Sequence, residues 1–95
     1  MMTQHEWNRA RDLVLSRISS ELCRAVKLHP PRFNSELEGW AVMHEEMVEL
    51  FDAIRKKNTL KADHRMEVAA EATQVGAMAA RFLIDLIVAT EDGAP

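Results

Sequence analysis

The stretch His44-Glu45-Glu46-Met47-Val48-Glu49-Leu50-Phe51-Asp52-Ala53-Ile54, HEEMVELFDAI, carries two patterns at once. Met47, Val48, Leu50, Phe51 and Ile54 recur at the three- and four-residue spacing of an α-helix with a face to bury. Threaded through that stripe are Glu45, Glu46, Glu49 and Asp52, all within eight positions. The helical reading extends outward in both directions. Upstream, Leu37, Trp40 and Ala41 continue the apolar surface, with Glu36 and Glu38 in a first turn where negative charge is favoured. Asn34 or Ser35 is the expected N-cap. Downstream, the helix is expected to run to about Lys57. There Arg55-Lys56-Lys57 complements the helix dipole, and Lys56, Lys57 and Asn58 form a C-terminal signal.

Two further helices flank this one. The first is expected from about Glu6 to Lys27, its stripe made by Trp7, Ala10, Leu13, Val14, Ile18, Leu22, Ala25 and Val26. His29-Pro30-Pro31 then stops it, because proline lacks the amide donor and restrains the residue before it. The third is expected from about Ala62 to Ala89, with small residues through its middle, Gly76 among them. A glycine there costs about 1 kcal/mol relative to alanine, which points to a close approach by another helix or a ligand. The tail from Glu91 to Pro95 is expected to fray.

The chain has 95 residues, 47% of them hydrophobic, with three Gly, three Pro and no Tyr. That composition suits one ordered helical domain. Helices this long bury more when a further layer covers them. The expected fold is therefore an all-α antiparallel bundle of three main helices per chain, completed by oligomerisation into a dimer or tetramer. A net charge of −3 gives no electrostatic case for nucleic acid. No stretch is long and apolar enough to span a membrane, and the amino terminus lacks the apolar core of a signal peptide, so a cytoplasmic protein is expected. Cys23 is the only cysteine; no disulfide can close within the chain, and the residue reads as a small buried hydrophobe.

The carboxylates are the chemical question. Glu46 and Glu49 stand three apart and project from nearly one side of their helix. Glu71 and Gln74 repeat that spacing on the third helix, with Glu67 one turn earlier. A short connection from Asn58 to Lys61 favours antiparallel packing, which would set the two pairs face to face. Opposed oxygen pairs on neighbouring helices suit a hard cation such as Mg²⁺, which takes oxygen ligands and is completed by water and phosphate. The plainer alternative is a solvated acidic flank, since glutamate is a good helix former.

Glu45-Glu46-Met47-Val48-Glu49-Leu50, followed by Asp52-Ala53-Ile54, resembles the first motif of the MazG-like all-α nucleoside triphosphate pyrophosphohydrolases. Glu71-Ala72-Thr73-Gln74 stands where their second motif, ExxD, would fall. The resemblance covers roughly Leu37 to Leu86 and is greatest to a short phage- and mobile-element-associated branch. It implies Mg²⁺-dependent cleavage of a nucleoside triphosphate to the monophosphate and pyrophosphate, with Mn²⁺ as an alternative cation. Carried over by position, Glu46, Glu49 and Glu71 would be metal ligands, with Glu46 and Glu49 the catalytic pair. Gln74 replaces the family's aspartate: its amide oxygen can coordinate the cation, but it brings no charge and cannot serve as a base. Glu45 or Glu67 could compensate. Lys56, Lys57, Lys61 and Arg81 are candidates for phosphate contacts, and Trp40 for stacking on a base, although core packing also accounts for Trp40. His44 has no partner at ligand spacing and reads as structural or exposed.

Overall fold

The computed structural model of the protein describes residues 1–28, 32–56 and 61–91, apart from the side chains of 28, 61 and 89–91. Three helices account for nearly all of them: α1 Gln4–Leu28, α2 Glu36–Arg55 and α3 Lys61–Glu91. Among the described residues there is no strand, so the all-α expectation holds. The proline stop at 29–31, the turn at 57–60 and the tail at 92–95 lie outside the described residues.

The helix ends follow from local chemistry. Thr3 Oγ1 accepts the Glu6 amide at 3.1 Å and the Thr3 amide donates to Glu6 Oε2 at 3.4 Å. This reciprocal capping box begins α1 two residues earlier than the apolar stripe suggests. Ser35 is the N-cap of α2, its Oγ accepting from the Glu38 amide at 3.1 Å. Glu38 reaches back to the Asn34 amide at 3.2 Å, so both expected capping residues take part. Lys56 leaves the helix with ψ 134°, which ends α2 at Arg55, short of Lys57. At the other end of the chain α3 keeps Glu91 helical, beyond the expected Ala89.

α3 is the centre of the fold. It packs against both α2 and α1, whereas α1 and α2 do not pack on each other. Along the α2–α3 seam Gly39 lies against Phe82, Glu49 is near Glu71, and Lys56 pairs with Glu67 at 3.0 Å. The rising numbers on one helix meet falling numbers on the other, so these two helices are antiparallel. Two glycines set the approach distances. A Cβ on Gly39 would stand 2.6 Å from Phe82 Cδ2, and one on Gly76 would stand 2.9 Å from Ile18 Cδ1. Gly76 is thus explained by the close passage of α1. The entry to α2 is tied down by Phe33, whose amide donates to Asp85 Oδ2 at 2.7 Å. The Phe33 ring lies 6.3 Å from that of Phe82, with the Arg81 guanidinium 4.1 Å from its centroid.

The core is small: Ala25, Ala77 and Met78, with Leu22, Val42 and Met43 against them. The side of α2 that turns inward is Gly39, Val42, Met43, Glu46, Leu50 and Ala53, again at helical spacing. Its bulkier stripe faces out, with Leu37 74%, Phe51 58% and Ile54 52% exposed. Trp40 is exposed too, stacked on His44 at 5.1 Å, which corrects the reading of Trp40 as a core residue. Leu13, Val14 and Trp7 on α1 are likewise uncovered. Cys23 is exposed rather than buried, because Leu22 and Ala25 turn to α3 and their neighbour points away. No described helix is long and apolar enough to cross a membrane.

Candidate metal centre

Because α1 and α2 stand apart over α3, a cleft of about 380 Å³ opens between them. Glu45, Glu46 and Val42 line it from α2, Gln74, Met78 and Arg81 from α3, Arg24 and Ala25 from α1, and Arg32 to Asn34 from the segment before α2. At its α2–α3 edge the antiparallel register brings Glu46, Glu49 and Glu71 together, with one carboxylate oxygen from each lying within 4.8 Å of the others. The spacing of three on each helix therefore produces a three-carboxylate cluster across the seam.

The members differ in environment. Glu49 is exposed, as a solvated flank would have it. Glu46 is different: it lies on the inward side of α2, and its Oε2 is buried with no hydrogen-bond partner. Burial pushes the Glu46 carboxyl above the ordinary carboxylate range, and the charges of Glu49, Glu71 and Glu45 push it further. An orphaned, partly desolvated oxygen facing two other carboxylates is costly without a proton or a cation. Three hard oxygen donors of this kind could hold a hard divalent cation, and Gln74 lines the same cleft as Glu46.

The other anticipated residues divide. Gln74 lines the same cleft as Glu46, and Arg81, expected more often to be a solvated residue, is 6% exposed and lines it too. Trp40 does not line it. Lys56 pairs with Glu67 at 3.0 Å, and Glu67 is not among the three carboxylates that lie together. Glu45 does line the cleft. Asp52 pairs with Arg55 at 3.0 Å, outside the cluster. Lys57 and the side chain of Lys61 lie outside the described residues.

Two residues that spacing did not single out also belong here. Arg24 and Arg32 line the cleft, and Glu21 on α1 accepts from Arg24 Nε at 3.1 Å. The Arg24 bonds come first in holding the Glu21 carboxyl below its ordinary range. The chain matches no family model, no curated protein and no solved structure.

Proposed function

We propose that the chain is a MazG-like, Mg²⁺-dependent nucleoside triphosphate pyrophosphohydrolase that acts as a homo-oligomer on the cytoplasmic nucleotide pool. The observation that carries this reading is a single cleft in which carboxylates and guanidinium groups meet. Glu45, Glu46 and Gln74 share its wall with Arg24, Arg32 and Arg81. Glu46, Glu49 and Glu71 would hold the cation, with the Gln74 oxygen as a neutral fourth donor. The cation, when bound, offsets phosphate charge and acidifies a coordinated water. The carboxylates alone would repel a polyphosphate. Guanidinium groups offer fixed donor forks that match phosphate oxygens, and they give the anionic chain a side of the cleft to occupy.

The test is pyrophosphate release from a panel of standard and modified nucleoside triphosphates with Mg²⁺ or Mn²⁺. Release above that of a Glu46→Ala/Glu49→Ala control is expected. Equal rates for the two proteins would sink the catalytic reading. Gln74 favours a second reading, a nucleotide-binding or interaction module that has lost turnover, because the position contributes no charge.

Self-association rests on surface area. The chain exposes 7508 Å², where a compact 10.8 kDa protein exposes about 5,500 Å². Its radius of gyration, 15.7 Å, exceeds the roughly 12 Å expected of a compact domain of this length. The excess, about 2,000 Å² on each chain, would bury about 4,000 Å² in total if two copies covered it, the range of an obligate dimer. The outward stripe of Leu37, Met47, Phe51 and Ile54 is the surface that a second copy of α2 would cover. Phe51→Glu is expected to move the protein toward the monomer in sedimentation. A wild-type chain that sediments as a 10.8 kDa species at micromolar concentration would remove the oligomer from the proposal.

A further inference from the structure

α2 has two apolar faces, and its own chain covers only one of them. Gly39, Val42, Met43, Leu50 and Ala53 turn inward. The outward face follows a stricter pattern. Leu37, Trp40, His44, Met47, Phe51 and Ile54 succeed one another at intervals of three, four, three, four and three residues. This is the a/d repeat of a coiled coil, a narrow seam along which two helices interlock, whereas a helix on a globular core carries a broader stripe. All six residues are exposed. From Leu37 to Ile54 the seam runs about 26 Å along the helix.

The other uncovered apolar surfaces do not repeat it. On α1, an a/d seam through Trp7 and Val14 takes in either Arg11 or Arg17. The bulky exposed residues in the C-terminal half of α3, Leu83, Ile84, Leu86 and Ile87, sit within little more than one turn. A seam as short as that of α2 would be marginal between two free helices. Here each helix is already held by α3 before it meets a partner.

Charge decides what fits the seam and in which direction. Glu36 and Glu38 stand in the first turn of α2, and Arg55 and Lys56 at its end. Two parallel copies would set carboxylates beside carboxylates and cations beside cations, with their helix dipoles aligned. Two antiparallel copies set each acidic end beside the other's basic end and oppose the dipoles. Both halves of the complementary arrangement lie on one helix, so the partner that fits it is a second copy of that helix. A two-fold axis then passes between His44 and Met47. Leu37 meets the partner's Ile54, Trp40 the partner's Phe51, and His44 the partner's Met47. Trp40 stacks on His44 at 5.1 Å and holds the imidazole in the seam.

We infer that α2 pairs antiparallel with α2 of a second copy along the Leu37–Ile54 seam, with His44 as the one polar seam residue that sets the register. The inference deepens the self-association reading and rests on it; the metal site plays no part in it. A polar residue at a single seam position specifies register at a cost in stability, which accounts for a histidine amid five apolar residues.

Disulfide cross-linking of the full chain tests the orientation. Cys23 is exposed, so Cys23→Ser is the background for every variant. Chains carrying Leu37→Cys or Ile54→Cys, one of them tagged for mass, are equilibrated in glutathione buffer separately and mixed. All these positions are exposed, and circular dichroism checks that the helices persist. The mixture is expected to give the cross-link between the two different chains, and neither chain alone to cross-link with itself. Cross-links within each separate sample mean parallel pairing and overturn the inference. A wild-type dimer with no cross-link in any sample means that another face is covered; that also overturns it and leaves self-association standing. A wild-type chain that sediments as a monomer removes both. The register has its own test in sedimentation: His44→Leu is expected to lower the dissociation constant about tenfold, because it removes the polar cost from the seam. An unchanged constant places His44 outside the interface and overturns the register.

Discussion

Glu46→Gln is expected to raise the melting temperature of the chelated protein by a few degrees while weakening Mn²⁺ binding at least about a hundredfold. The two effects have one cause. Glu46 Oε2 is buried without a partner, and its carboxyl is pushed upward first by burial and then by Glu49, Glu71 and Glu45. In the absence of a cation those groups oppose ionisation, and removing the charge relieves the opposition. Because the site is partly wet, the gain should stay below about 1 kcal/mol, which is still several degrees for a domain of this size. With Mn²⁺ present the same carboxylate is a ligand, and glutamine forfeits its charge.

The pH dependence of this effect has a definite sign. A carboxyl whose folded-state pKa is raised stabilises the fold in its protonated form. That contribution is complete below the ordinary value of 4.5 and fades as pH rises through the higher folded-state value. The melting temperatures of wild type and Glu46→Gln in chelator should therefore nearly coincide at acidic pH and separate as pH rises toward neutrality, the variant melting higher. A difference that is constant across this range, or one that favours the wild type at neutral pH, would mean that Glu46 is an ordinary solvated carboxylate.

The legible part of this protein is the part that depends on spacing along one helix. Glu46 and Glu49, like Glu71 and Gln74, are three apart, and antiparallel packing follows from a short connection, so the cluster could be anticipated before any contact was known. The inward side of α2 could not. Its bulkiest apolar residues, Leu37, Phe51 and Ile54, argue by hydrophobicity for the buried side, yet they are exposed. The close fit of Gly39 against Phe82 turns Val42, Met43 and Glu46 inward instead. Hydrophobicity identifies surface that must be covered without saying whether its own chain or another copy covers it. The arginines of the cleft were hidden for a related reason. Arg24 and Arg32 sit on α1 and on the segment before α2, and they come to line the cleft where α1 crosses α3 at Gly76 and Asp85 holds the Phe33 amide. Neither contact leaves a local pattern. The capping box of α1 was legible in Thr3-Gln4-His5-Glu6 and lay outside a reading based on the apolar stripe.

Gln74→Asp is the substitution with the largest expected gain. In the present site three carboxylates lie together, and Gln74 lines the adjoining cleft with an uncharged side chain. Aspartate there adds a fourth negative charge within reach of the cation, expected to strengthen Mn²⁺ binding by about tenfold, equivalent to roughly 1.4 kcal/mol. In chelator the same charge adds to the repulsion already acting on Glu46, so the melting temperature should fall, the reverse of Glu46→Gln. Opposite movements of metal affinity and metal-free stability in the two variants are what a shared cation site demands, whereas two unrelated surface carboxylates would show no such relation. Pyrophosphate release then separates the two functional readings. If the natural chain already turns over triphosphates, Gln74→Asp should raise the rate by no more than the improved metal occupancy allows, and saturating Mg²⁺ should close most of the gap. If the natural chain is silent and Gln74→Asp releases pyrophosphate, the cleft is an active site whose chemistry was lost at that one position. If the variant binds Mn²⁺ no better than the wild type, Gln74 lies outside the coordination sphere and the four-oxygen site is wrong.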